Sequence, residues 1–137
     1  MLEFTGINYW AVLVVWVFYM AVGAWWYSKV GFAKQWTKYT GIDILKISTK
    51  QANNIITLVA VSALVQAYAL AVIINSLNVT AALNGVLIGL LIWLGFTAAT
   101  TVGVTFYSQR NWKFLWLNSS YFLVVMAVGS VIFAVWK

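Results

Sequence analysis

Long stretches without a charged residue alternate with short basic segments along the chain. Residues 4–28, 51–109 and 114–136 contain no Asp, Glu, Lys or Arg. A helix that crosses a bilayer needs roughly 20 mostly apolar residues, at about 1.5 Å rise per residue. The first and last runs therefore predict one such helix each, and the middle run predicts two helices joined by a turn.

The turn is predicted at INSLNVTAALNG (74–85), because Asn75, Ser76 and Asn78 favour non-helical backbone. None of the runs alternates apolar with polar residues, as membrane-spanning strands do. Helices are the other structure that satisfies its own backbone in hydrocarbon. We therefore predict an all-α polytopic membrane protein with four spans in two hairpins, at 7–28, 53–75, 82–106 and 114–136.

The composition excludes a separate soluble domain. The chain is 64% hydrophobic and 7% charged, whereas soluble domains carry about 25% charged residues. Residues 1–137 are therefore predicted to form a single transmembrane domain, with an amphipathic loop at 29–51. In that loop Phe32, Trp36 and Tyr39 recur at helical spacing opposite Lys34 and Lys38, which is typical of an interfacial helix. The alternative, which we favour for function, is an ordered basic loop without a specific ligand.

Basic side chains concentrate in the two connections on one side of the predicted membrane. The positive-inside rule places those connections in the cytoplasm and both termini outside, in a plasma or inner cell membrane. We expect these charges to meet anionic lipid headgroups and not nucleic acid, because most lie within a turn or two of the membrane. The expected headgroup contacts are Lys29, Lys34, Lys38, Arg110 and Lys113.

Aromatic residues cluster at the same basic ends of the spans, where indole rings favour the boundary between lipid and headgroups. The predicted anchors are Trp25, Trp26, Tyr27, Trp36, Trp112 and Trp116. Residues 23–36 also resemble residues 103–116 at an offset of 80, with Gly, Tyr, Ser and Trp at matching places. The offset favours a duplicated hairpin with parallel repeats, and the alternative is convergence of two similar helix ends.

Small and hydroxyl residues mark the faces on which the helices are expected to pack. Gly23, Gly85, Gly89 and Gly103 would let a neighbouring helix approach closely. A polar stripe of Thr97, Thr101, Thr105 and Ser108 follows one side of the third span. It could line a polar path, although an ordinary helix–helix contact is the interpretation we favour.

Depth along the spans predicts one polar cluster near the membrane midplane. Trp16, Gln66 and Trp93 each lie about halfway along a span, and Thr97 is one turn beyond Trp93. Indole and amide groups in hydrocarbon need hydrogen-bond partners, which these residues could give one another. The alternative is that each group packs separately and bonds a backbone carbonyl.

Few residues on the chain are suited to catalysis or to metal binding. There is no histidine or cysteine, and the only carboxylate side chains, Glu3 and Asp43, lie outside the predicted spans. Metal sites and acid–base catalysis usually need such groups, so we expect neither a cofactor nor an enzyme.

The segment GAWWYSKVGFAKQWTKYTGI (23–42) resembles the signature of a family of small four-helix membrane proteins, a bacterial and fungal domain of unknown function. The matching residues are Gly23, Trp26, Tyr27, Ser28, Phe32, Lys34, Trp36, Thr40 and Gly41. Residues 89–101 and 110–124 resemble the second half of that family, while Lys29 replaces its frequent proline. The resemblance implies a four-helix fold and gives no information about activity.

Two functions remain after these exclusions. The first is a non-catalytic membrane protein, either a homo-oligomer or a small accessory subunit of a membrane complex. The second is a transporter or channel for a small solute, which the threonine stripe and the basic face would favour. Under either function, we expect the partners of the chain to be the lipid bilayer and other membrane chains, including further copies of itself.

Overall fold

Every element of the fold is helical. The computed structural model describes residues 1–137 and confirms the predicted all-α class. The helices are α1 (Tyr9–Trp26), α2 (Ala33–Thr40), α3 (Thr49–Ser76), α4 (Ala82–Tyr107) and α5 (Trp112–Val135). By length and composition, α1, α3, α4 and α5 can each cross a membrane, so the chain is a multi-pass membrane protein.

Side-chain caps fix where three of the long helices begin. Asn8 Oδ1 accepts hydrogen bonds from the amides of Trp10 and Ala11, so α1 begins two residues later than the predicted span. Ser48 Oγ caps α3, which begins four residues before its predicted start, and Asn111 Oδ1 caps α5, which begins two residues before its own. These three helices therefore start directly after capping residues and not at the edges of the charge-free runs.

The connection between α3 and α4 differs from the predicted turn. Asn75 and Ser76 belong to the last turn of α3, and only Asn78 has left-handed backbone, with φ 52°. The side chains of Asn75 and Ser76 bond the N-terminal segment instead of forming the turn. Asn75 Nδ2 donates to the Thr5 carbonyl oxygen at 3.0 Å, and Ser76 Oγ accepts from the Glu3 amide at 2.7 Å. Polar residues that resemble a turn in sequence thus tie the chain together at the end that carries both termini.

Helix α5 is the centre of the bundle. It contacts α1, α2, α3 and α4, whereas α4 packs mainly along α5 and makes no extensive contact with α1 or α3. The core consequently lies between α1, α3 and α5, and includes Val15, Tyr19, Ala67, Leu70, Ile74, Tyr121, Val125 and Phe133. The outer side of α4 is left uncovered.

This packing does not reproduce the symmetry of a duplicated hairpin. A pseudo-two-fold axis that relates α1 to α4 and α3 to α5 would pair the α1–α5 contact with an equal α3–α4 contact. Such a contact is missing. The two halves therefore pack differently, and duplication remains a prediction from the sequence alone.

Two glycines of α4 bring its backbone against α5. A Cβ atom at Gly85 would lie 2.8 Å from the Ser130 carbonyl oxygen, and one at Gly89 would lie 2.8 Å from the Met126 carbonyl oxygen. In each glycine a Cα hydrogen takes the place of the Cβ atom, so it points at the carbonyl oxygen of α5 as in a Cα–H···O contact. Gly103 differs from the prediction, because nothing lies within 4 Å of its Cβ position. Its side of α4 faces away from the bundle.

Replacing Gly89 by alanine tests this close approach. We expect Gly89→Ala to lower the free energy of unfolding by about 1–3 kcal/mol, because the Met126 carbonyl cannot rotate away from the new methyl group. Gly103→Ala is the matched control on the same helix, and helix propensity should make it neutral or stabilising by up to about 1 kcal/mol. Unfolding of both variants by denaturing detergent gives the comparison, and equal losses would contradict the packing.

Candidate functional site: the aromatic cluster at the basic end

Aromatic rings from three helices meet at the basic end, where the end of α1 lies beside α2 and the first turns of α5. We call this set the aromatic cluster, and its members are Trp25, Trp26, Tyr27, Phe32, Trp36 and Tyr121. The closest pair is Trp26 with Phe32, whose ring centroids are 4.8 Å apart. Tyr121 contacts Trp26 and Tyr27, with centroids at 6.2 and 6.0 Å. Such pairs typically contribute about 0.5–1.5 kcal/mol beyond the burial of their area.

The polar atoms of the cluster are bonded within the chain. Trp26 Nε1 donates to the Leu117 carbonyl oxygen of α5 at 3.2 Å, and the Tyr27 hydroxyl donates to Asn118 Oδ1 at 3.1 Å. Consecutive residues at the end of α1 therefore bond consecutive residues of α5. These two bonds fix the rotation and the height of α1 against α5.

Gly23 lets Tyr121 reach across this contact. A Cβ atom at Gly23 would lie 3.3 Å from the Tyr121 hydroxyl oxygen and 3.5–3.6 Å from its ring. The same hydroxyl donates to the Tyr19 carbonyl oxygen at 3.1 Å. The Tyr121 ring consequently lies flush against the backbone of α1.

A tight reversal after α1 places α2 under the cluster. Ser28 Oγ donates to the Trp25 carbonyl oxygen at 2.7 Å and accepts from the Gly31 amide at 3.2 Å. A Cβ atom at Gly31 would overlap the carbonyl oxygens of Trp25 and Trp26, so only glycine fits there. The reversal directs Phe32 back onto Trp26. At the other end of α2, Gly41 terminates the helix with left-handed backbone, φ 76°.

One of the five predicted headgroup contacts has a partner within the fold. Arg110 Nη1 donates to the Tyr39 carbonyl oxygen at 2.9 Å and so joins the α4–α5 connection to the end of α2. The other predicted headgroup contacts, Lys29, Lys34, Lys38 and Lys113, are exposed. Their ammonium groups are free to meet a membrane surface.

The predicted anchors divide into two groups. Trp26, Tyr27 and Trp36 are half-buried and have the partners described above, so they join the helices of one chain. Trp25, Trp112 and Trp116 expose 52%, 56% and 57% of their surface, which suits rings that lie among lipids.

Residues 10–134 match a family model described as protein of unknown function (DUF1761). The chain belongs to the DUF1761 family. Neither a curated protein nor a solved structure matches the chain. The matched range contains the whole aromatic cluster and all of α2, α3 and α4, with α1 and α5 short of one terminal residue each. This confirms the family resemblance found in the sequence and leaves the function open.

The structure does not form the predicted midplane cluster of Trp16, Gln66, Trp93 and Thr97. Trp16 Nε1 donates to the Ala60 carbonyl oxygen of α3 at 2.8 Å, and Trp93 Nε1 donates to the Ser119 carbonyl oxygen of α5 at 2.8 Å. A carbonyl oxygen has two lone pairs, so one already bonded within its helix can accept a second donor. Each indole thus bonds the other helix of its own hairpin.

The remaining two members of that prediction also lie apart from the indoles. The Thr97 hydroxyl lies 3.7 Å from Met126 Sδ, which is a weak acceptor. The Gln66 side chain is half-buried, and none of the side-chain hydrogen bonds of α3 involves its amide. No hydrogen bond joins any two of the four residues.

A π-helical segment in the middle of α4 was not predicted. Residues Trp93–Ala98 form wider turns, in which the ordinary i to i+4 bonding is interrupted. Thr100 Oγ1 donates to the Phe96 carbonyl oxygen at 2.8 Å, and Thr101 Oγ1 donates to the Thr97 carbonyl oxygen at 2.6 Å. These hydroxyls supply donors to the carbonyl groups of the widened segment.

The polar stripe is therefore not a continuous polar lining. The hydroxyl of Thr101 bonds its own helix, Thr105 is buried without a partner, and Ser108 is exposed beyond the end of α4. Buried hydroxyls without a partner do occur elsewhere, at Tyr19, Ser119 and Ser130.

Sequence reasoning missed the pairing of α1 with α5 at the cluster. The signal was present, because Gly23 and Tyr27 are one turn apart on α1, as Asn118 and Tyr121 are on α5. Helical spacing identifies the two faces, but it does not say that they face each other.

The Tyr27–Asn118 bond can be measured with a double-mutant cycle. Tyr27→Phe should lower the free energy of unfolding by about 0.5–1.5 kcal/mol. The loss in the double variant with Asn118→Ala should be smaller than the sum of the losses in the two single variants. Tyr107→Phe is the matched control, because Tyr107 is the counterpart of Tyr27 at the offset of 80 and is 95% exposed. Strictly additive losses would show that the bond contributes nothing.

Proposed function

We propose that the chain is a non-catalytic integral membrane protein that acts by assembling with other membrane chains. It would do so as a homo-oligomer or as a small accessory subunit of a larger membrane complex. The observation that carries this proposal is the uncovered side of α4. Only 11% of an 18-residue apolar segment of α4 is buried, against 39% of the corresponding segment of α5. No atom lies within 4 Å of the Cβ positions of Gly95 and Gly103. A surface of this kind allows close approach by another helix.

The chemistry of the spans supports a role without catalysis. No Asp, Glu, Lys or Arg occurs between Lys50 and Arg110, so most of the membrane-embedded chain has no strong acid or base. At the aromatic cluster the polar atoms of Trp26 and Tyr27 bond α5. These groups hold helices together and present no set of free donors to a substrate.

A small-solute transporter or channel is the second candidate, and one observation favours it. Four buried hydroxyls have no hydrogen-bond partner, at Tyr19, Thr105, Ser119 and Ser130. Hydroxyl groups along a path could replace the water around a neutral or anionic solute. Against this, the hydroxyls of Thr100 and Thr101 bond carbonyl oxygens of their own helix.

The orientation that we propose follows the charges, with the basic end in the cytoplasm of a cell membrane and both termini outside. Because the chain has no cysteine, single-cysteine variants report the side of the membrane. A maleimide that cannot cross the membrane should label Glu3→Cys in intact cells and should label Lys34→Cys only after the membrane is opened. The reverse pattern would overturn the orientation.

The mass of the protein in its own membranes tests the assembly. We expect native electrophoresis after mild solubilisation to show a species well above the mass of one chain plus detergent. The same preparation in vesicles should not increase the permeability to small neutral or anionic solutes above that of empty vesicles. A single chain that conducts a solute would instead favour the transporter.

A further inference from the structure

We infer that α3 carries the surface through which two copies of this chain pair, with Gln66 at its centre. This inference rests on the proposed assembly and specifies one partner, a second copy, and one contact. Gln66 is the predicted midplane residue whose side chain makes no hydrogen bond in the fold, whereas Trp16, Trp93 and Thr97 each have a partner.

The residues around Gln66 form a continuous seam along α3. Their spacing alternates between four and three residues, which keeps them on one side of a helix, as in coiled-coil packing. The Gln66 seam consists of Ile55, Val59, Ser62, Gln66, Ala69 and Ile73. None of the six is buried, and the neighbours of Gln66 by one turn, Ser62 and Ala69, are exposed. The seam therefore faces away from the core.

The depth of Gln66 makes its unpaired amide significant. It lies ten residues before Ser76, the end of α3, which corresponds to about 15 Å along the helix. The hydrocarbon layer is about 30 Å thick, so the amide lies near the midplane. Lipid tails offer no hydrogen-bond partner there, and an unpaired polar group in hydrocarbon is unfavourable.

A second copy supplies the missing partner because an amide is both a donor and an acceptor. Two copies inserted in the same direction present Gln66 at the same depth. A two-fold axis beside the residue then lets each amide NH₂ donate to the amide oxygen of the other copy. Ser62 and Ala69 are small enough for the two α3 backbones to approach within reach. The uncovered side of α4 is the rival surface, but it offers no unpaired amide.

Crosslinking with single cysteines locates the contact. Across a two-fold axis each seam residue faces its own copy, so Ser62→Cys and Ala69→Cys should form disulfide-linked dimers under mild oxidation in membranes. Val61→Cys and Val65→Cys are matched controls at similar depth, with 58% and 62% exposure and positions off the seam. We expect little dimer from them. Equal crosslinking at all four positions, or crosslinking only at Gly103→Cys on α4, would overturn the inference.

The amide itself is tested by energy transfer between labelled copies of the full chain in vesicles. Gln66→Leu should weaken pairing about tenfold, since interhelical polar contacts in membranes have modest strength. Gln66→Asn should retain most of the pairing, and Val65→Leu should leave it unchanged. Pairing of Gln66→Leu at wild-type strength would refute the role of the amide.

These outcomes separate the inference from the proposed function. If the native species stays large while crosslinking does not favour Ser62→Cys and Ala69→Cys, the seam is wrong and the assembly stands. If it stays large while Gln66→Leu pairs normally, the role of the amide is wrong and the assembly stands. If the wild-type chain is single in both native electrophoresis and vesicles, the assembly and the seam both fail.

Discussion

Lipid tails accept and donate no hydrogen bonds, and this constraint decides where the polar groups of the chain lie. Three indole nitrogens, on Trp16, Trp26 and Trp93, donate to backbone carbonyls of neighbouring helices. Threonine hydroxyls bond the carbonyls of the π-helical segment. Each bond satisfies a donor that hydrocarbon would leave unpaired, and the three indole bonds also set how two helices meet. Much of the tertiary structure is therefore specified by tryptophans and not by apolar packing alone.

Helix α5 is where these contacts converge. It accepts the indole of Trp26 from α1 and that of Trp93 from α4, and it presents Ser130 and Met126 to the glycines of α4. The aromatic cluster adds α2 to the same helix. The remaining helices are arranged around α5, and α4 depends on it for almost all of its packing.

The sequence predicted four membrane-spanning helices, because span length follows from bilayer thickness and composition, whereas side-chain caps decide where three of them begin. It did not predict which faces meet. Gly103 resembles Gly23 in its neighbours along the chain, yet Gly23 packs on Tyr121 and Gly103 is open. Equal depth likewise suggested that Trp16 and Trp93 would share partners, whereas each bonds within its own hairpin. The rotation of a helix about its axis depends on all its neighbours together, and one helical pattern does not contain that information.

The unequal lengths of the spans have a consequence for the surrounding lipid. Helix α1 has 18 residues, about 27 Å, whereas α3 has 28 residues, about 42 Å. A layer of about 30 Å is slightly too thick for α1 and too thin for an upright α3. Lipid beside α1 must thin, while α3 must tilt or extend its polar first turns into the headgroups. The protein thus favours different bilayer thicknesses beside α1 and beside α3, although the two helices are neighbours in the bundle.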